Sequence, residues 1–146
     1  MPPPLVAAIV AATMFLVRGQ GVALPLDRPW RIALAAALAI AGLAFALPAV
    51  VAFRRARTTV NPHRLDRVSA LVTGGVFALS RNPMYLGLAL VLAGWATLLG
   101  GLAGFLGPVA FVAWITRFQI VPEERLLAAR FGDAFHAWRR RVRRWI

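Results

Sequence analysis

The chain has 146 residues, 60% of them hydrophobic, and a formal net charge of +12. A water-soluble core of this size cannot hide so much apolar surface, so the composition excludes an ordinary soluble globule and points to the bilayer as solvent. The absence of cysteine removes disulfides, thiolate nucleophiles and cysteine metal sites. The basic residues, all Arg, gather at the ends of apolar runs, which fits anionic headgroups and membrane topology better than nucleic acid.

Taken in chain order, the apolar runs predict an all-α integral membrane protein with four transmembrane helices and a C-terminal amphipathic helix. The opening MPPPLVAAIVAATMFLVRGQG has no basic leader and no convincing small-residue cleavage pattern, so it reads as a retained helix rather than a signal peptide. It is apolar from Leu5 to Val17 and reaches Leu26 if Arg18 and Gln20 face protein or the interface, giving a first span over 5–26. An Ala-rich second span covers 30–53, a third 82–99 and a fourth 102–120. Only Gly100 and Gly101 separate the last two, which predicts a tight helical hairpin. Residues 54–80 form the one long loop, RARTTVNPHRLDRVSALVTGGVFALS. From 123 to 145, Phe131, Phe135, Trp138, Val142 and Trp145 recur at helical spacing among Arg residues, the pattern of a helix lying in the headgroup plane with its apolar face down. Small residues four apart, such as Ala35 and Ala39 or Ala89 and Ala93, allow close helix packing, although so Ala-rich a chain produces such pairs by chance.

Arg placement orients the chain. The loop (Arg54, Arg55, Arg57, Arg64, Arg67, Arg81) and the tail (Arg125, Arg130, Arg139, Arg140, Arg141, Arg143, Arg144) fall on one side of an even number of spans, and the positive-inside bias makes that side cytoplasmic. Arg18, Arg28 and Arg31 lie on the other side. Three spans with an outer N-terminus would keep both basic regions cytoplasmic as well.

Chemistry-bearing residues are few. His63 and His136 have no acid at ligand spacing, so no metal site is expected. Asp66 and Asp133 have no partners for a catalytic triad, and Gly74-Gly75 lacks a P-loop pattern. One cluster remains. The mouth of the third span carries Arg81, Asn82 and Tyr85, and the end of the fourth carries Glu123 and Glu124. A short hairpin forces these spans antiparallel, so their far ends meet and the four groups Arg81, Tyr85, Glu123 and Glu124 become neighbours. They offer a cation for a carboxylate, anions for an amine or sulfonium, and a ring to stack or hydrogen-bond. Each also has a plain structural reading: Pro122-Glu123-Glu124 as a helix start, Arg81 as an anchor, Tyr85 as a belt residue and Asn82-Pro83 as a turn.

RNPMYLG at 81–87 resembles the Arg-His-Pro-x-Tyr-x-Gly signature of the isoprenylcysteine carboxyl methyltransferase and phospholipid methyltransferase superfamily. TTVNP at 58–62 is similar to the loop before that family's site, LVTGGVFALS at 71–80 to its glycine lead-in, and PEERLLAARFG at 122–132 to its Glu-Glu and Phe-Gly element. The resemblance covers roughly residues 30–146. It implies an integral-membrane enzyme that uses S-adenosylmethionine; the Arg placement then expects a protein of the cytoplasmic membrane with its site and C-terminus facing the cytoplasm. The resemblance assigns Gly74, Gly75, Arg81, Asn82, Pro83, Tyr85, Gly87, Glu123 and Glu124 to the cofactor, with Arg81 and Glu124 as positioning groups. Thr58, Thr59 and Arg117 are the candidate acceptor contacts. The family's usual His is Asn82 here, its Pro-Tyr after the glycine is Val76-Phe77, and two positions that are often Tyr are Phe135 and Trp138. These changes remove an imidazole and several hydroxyls and leave the charge pattern intact.

The reaction implied is in-line methyl transfer to a lipophilic acceptor. The leading acceptor is the carboxylate of an isoprenylcysteine-like molecule, and the amine of phosphatidylethanolamine is the alternative. A rival of another class is a non-enzymatic membrane module that binds anionic lipid or a partner through the Arg-rich tail. A transporter is disfavoured because the last three spans carry no mid-span charge.

Overall fold

The computed structural model describes residues 1–56 and 70–146. Thr58, Thr59, His63 and Asp66 lie outside the described residues. The described chain is helical, without a strand: α1 (Pro3–Leu16), α2 (Arg28–Arg55), α3 (Pro83–Leu99), α4 (Leu106–Ile115) and α5 (Val121–Arg141), with short 3-10 turns at Gly75–Ala78 and Leu102–Phe105. A π-helical turn, Thr116–Ile120, carries α4 into α5 without a break. Pro122 explains the wide turn: it has no N–H for the carbonyl four residues back, and its ring crowds that carbonyl.

Among the described residues, two helices are long and apolar enough to cross a bilayer, α2 and the continuous run Leu102–Arg141. Pro3–Leu16 and Pro83–Leu99 are apolar but shorter. Helix length among the described residues thus supports two of the four expected spans. The largest correction is at α1, which ends at Leu16 rather than 26. Fourteen residues reach about 21 Å against an apolar core of about 30 Å. Arg18 folds back instead of continuing: its Nη1 donates to Phe15 O at 2.8 Å and its guanidinium caps the Phe15 ring at 3.8 Å. Ile40, Leu106 and Val109 are each about two-thirds exposed, the outward apolar surface expected of a chain solvated by lipid.

The chain divides into two compact units: Met1–Ala44 with Gly87–Trp114, and Phe45–Leu86 with Ile115–Ile146. In the first unit, α2 and α3 approach through backbone. A Cβ on Gly42 would stand 2.6 Å from Gly87 O, and one on Gly94 would stand 2.9 Å from Ala35 O. These pairs are seven residues apart on each helix and run in opposite directions, a two-point antiparallel seam of small residues. The predicted hairpin is present, with Gly100 at φ 75°. The segment after α1 fastens it: Leu24 N donates to Gly100 O at 2.8 Å and Leu102 N to Val22 O at 2.9 Å. α1 packs beside α3, where Trp95 Nε1 donates to Ala11 O at 3.1 Å and stacks on Phe15.

The second unit is built on aromatics. Ala49, Phe77, Phe135, Trp138 and Val142 are buried together. Phe53 meets Phe77 edge-on at 5.1 Å, and Trp138 Nε1 donates to Phe77 O at 3.1 Å. The stripe Phe135–Trp138–Val142, expected to lie on the headgroup plane, is thus the core of this unit. Gly132 is the physical reason. At φ 49° and ψ −122° it leaves helical geometry inside α5 and redirects the following turns so that their apolar face meets the 3-10 turn at Phe77. The helix also ends at Arg141 rather than 145, and Val142 is extended.

The seam yields a stability prediction. Gly42→Leu should lower stability by roughly 1–3 kcal/mol, because its side chain would collide with backbone rather than with a movable side chain. Gly19→Ala, with open space around it, should be neutral. Thermal unfolding in detergent compares the two, and equal midpoints would mean that α2 and α3 do not pack this closely.

Candidate functional site

Ser80 to Tyr85 enter α3 through a structured turn. Ser80 is fully buried and its Oγ accepts from Asn82 N at 3.1 Å. Pro83, whose fixed φ and missing N–H suit a helix start, opens α3. One turn in, the Tyr85 ring is buried and its hydroxyl donates to Glu123 Oε1 at 2.7 Å. Arg81 Nη2 lies 3.1 Å from Glu124 Oε1, with the two side chains only 8% and 12% exposed. The first turn of α5 therefore meets the mouth of α3 through two crossed pairs, Tyr85–Glu123 and Arg81–Glu124. The four groups that hairpin geometry placed together are together.

A fifth participant was not singled out by the sequence. Arg144 forks onto Glu124, with Nε 3.0 Å from Oε1 and Nη2 2.7 Å from Oε2. The backbone around it is tied to the same turn: Arg81 N donates to Arg143 O at 3.0 Å and Asn82 Nδ2 to Arg144 O at 2.9 Å. Ser80 Oγ reaches Arg144 O at 3.5 Å. Asn82, which replaces the family's His, thus serves this strap. No signal in the sequence distinguishes Arg144 from its neighbours, because an extended segment folding back carries no periodicity.

Other candidates stand elsewhere. Gly74 and Gly75 are exposed, and a side chain on either would meet open space; their turn serves to seat Phe77. The Gly87 carbonyl faces Gly42, so this residue's visible task is helix packing in the first unit. Arg117 is exposed in the π turn, its guanidinium 5.7 Å from the Phe118 ring. Among the described residues no three His, Asp or Glu side chains converge on a point that could hold a metal ion.

Electrostatically the cluster is rich in positive charge: two guanidiniums share one carboxylate. The hydrogen bonds to Glu124 raise the Arg144 pKa, whereas burial lowers that of Arg81. Neither shift threatens the charge of a guanidinium at neutral pH. Glu123 lies beyond the fourth apolar run, and burial pushes its carboxyl up to about 7; the Tyr85 hydrogen bond opposes the shift and Glu124 adds to it. Arg81 keeps two N–H edges, Nε and Nη1, buried and without a hydrogen-bond partner among the described residues. A desolvated cation with unspent donors matches a ligand carboxylate or phosphate oxygen.

Among the described residues, apolar helices of bilayer length and a largely buried charged cluster where α3 meets α5 define the outline of a membrane protein with an internal polar site. The sequence profile of the phospholipid methyltransferase family matches residues 30–134, and the chain belongs to that family. Membership and apolar helices together mark a membrane methyltransferase, and such families generally draw their methyl group from S-adenosylmethionine. An uncharacterized protein of Haemophilus influenzae is 41% identical over 63 residues, which are 43% of this chain and the whole of that protein. No solved structure matches the chain.

The raised Glu123 carboxyl gives a pH prediction. A folded value near 7, against an ordinary 4.5, means that the folded protein binds this proton more tightly than the unfolded chain. Its stabilising contribution is complete below about pH 4, declines as pH rises toward 7, and is level above that. The difference in unfolding temperature between the protein and Glu123→Gln should change across that window. A constant gap would mean that Glu123 titrates as an exposed acid.

Proposed function

We propose that the protein transfers a methyl group from S-adenosylmethionine to a lipophilic acceptor, with the cluster at the mouth of α3 as the cofactor site. The observation that carries this reading is Arg81, nearly buried, pinned on one side by Glu124, with Nε and Nη1 unspent. A buried guanidinium in that state costs stability until an anion completes it. The carboxylate at the amino-acid end of the cofactor has the geometry of the guanidinium fork. Glu123, tethered by Tyr85, is the acceptor for the neighbouring ammonium. Glu124 has both oxygens engaged by arginines, so its part is to hold Arg81 in place. Asn82 and Pro83 shape the turn, and Gly74 and Gly75 belong to the site by resemblance of motif.

When bound, the cofactor supplies a methyl group on a positively charged sulfur, a form that needs no protein nucleophile. The task left to the chain's own residues is to orient the reactants and keep water out. The acceptor favoured by the wording of the RNPMYLG motif is the carboxylate of an isoprenylcysteine-like molecule; the alternative, a phosphatidylethanolamine amine, has the matched family's name in its support. Thr58, Thr59 and the exposed Arg117 are the proposed acceptor contacts. Arg54, Arg55, Arg139, Arg140, Arg141 and Arg143 are all exposed, which supports anionic lipid as a partner and a cytoplasmic-membrane location with this face toward the cytoplasm.

Calorimetric titration of the detergent-purified protein with S-adenosylhomocysteine tests the reading. Saturable binding is expected. Arg81→Ala should weaken it at least about tenfold, whereas Arg143→Ala, which alters only an exposed side chain, should leave it nearly unchanged. A folded sample that gives no binding heat rules the cofactor site out.

A further inference from the structure

We propose that Arg144 is a positioning residue of this site, acting through Glu124 on Arg81. The inference rests on the reading of Arg81 as the ligand-binding cation.

Three observations converge on it. Arg144 occupies both oxygens of Glu124 in a fork, 3.0 and 2.7 Å, and shares Oε1 with Arg81. The carboxylate therefore cannot rotate without breaking a two-bond grip, and the Arg81 guanidinium that leans on it through Nη2 keeps Nε and Nη1 buried and without a hydrogen-bond partner among the described residues. The backbone beneath Arg144 is anchored independently of its side chain, by Arg81 N to Arg143 O and Asn82 Nδ2 to Arg144 O. Arg144 thus projects from a fixed support, so its fork has a fixed origin as well as a fixed target. Finally, the charges do not balance. Glu124 faces two cations, and the nearby Glu123 is engaged by the Tyr85 hydroxyl instead of by either arginine. The surplus positive charge belongs to the edge that Arg81 leaves open. If Arg144 served only to neutralise Glu124, Arg81 at 3.1 Å would already do so. What the second arginine adds is orientation.

A lysine cannot replace it. An ammonium is a point charge without the planar pair of donors, so it keeps the attraction and loses the geometry. This separates positioning from simple charge.

The test uses the full chain in detergent, with S-adenosylhomocysteine as probe. Arg144→Ala is expected to weaken binding roughly tenfold, and Arg144→Lys to recover only a small part of that loss. Arg144→Ala combined with Glu124→Gln should be no worse than Glu124→Gln alone, since both act through one carboxylate. Unchanged affinity in Arg144→Ala with a lowered unfolding temperature would assign the residue to the scaffold and overturn the proposal; full recovery by Lys would do the same. A second readout needs no ligand. The Arg81 Nε–H resonance, identified by its disappearance in Arg81→Ala, should move in Arg144→Ala and stay in place in Arg143→Ala. If the wild type gives no binding heat, the cofactor reading fails by itself, and this resonance still decides whether Arg144 positions Arg81: an unmoved signal refutes it.

Discussion

One carboxylate organises the second unit of this protein. Glu124 stands in the first turn of α5, yet its oxygens receive Arg81 from the mouth of α3 and Arg144 from the segment that follows α5. Three stretches far apart in sequence are joined at a single group. Burying such charges is costly, and the arrangement persists because the geometry is good: a fork of two short hydrogen bonds, a second cation, and backbone donors that fix the strap. Removing Glu124 would leave two partly desolvated guanidiniums facing each other, a worse state than removing either arginine.

The rest of the cluster follows from that junction. With α5 anchored by Glu124, the adjacent Glu123 is carried against Tyr85, and the hydroxyl satisfies a carboxyl that burial would otherwise leave short of partners. Under the proposed function, a site made of position and charge suits the transfer of an already activated group, where alignment and dryness matter more than protein acid-base strength. On that proposal, a chain without cysteine and with only two histidines needs no protein nucleophile for the reaction.

The convergence of Arg81, Tyr85, Glu123 and Glu124 was legible in the sequence because two glycines fix a hairpin, and a hairpin fixes which ends meet. Arg144 was not, since its approach depends on an extended return with no repeating pattern. Periodicity found the apolar face of Phe135 and Trp138 correctly but could not say what covers it; the answer lay in Phe77 and in the positive φ of Gly132. The α2–α3 seam was hidden for a related reason. Ala35, Gly42, Gly87 and Gly94 pair at a spacing of seven, and the eye drawn to residues four apart in an Ala-rich chain passes over them. The first span was overestimated because a long apolar composition conceals a turn at Arg18 that is paid for by its own local hydrogen bond.

The wide turn at Thr116–Ile120 sets the angular phase of all that comes after it. A π turn accommodates one residue more than an ordinary helical turn, and one residue is worth about 100° of rotation. Loss of a single residue there would leave length and composition almost unaltered, yet swing the acidic pair away from the phenol and the guanidinium it now faces. In this stretch the residue count is therefore constrained more tightly than residue identity: substitutions can be absorbed, whereas a one-codon deletion would disassemble the cluster.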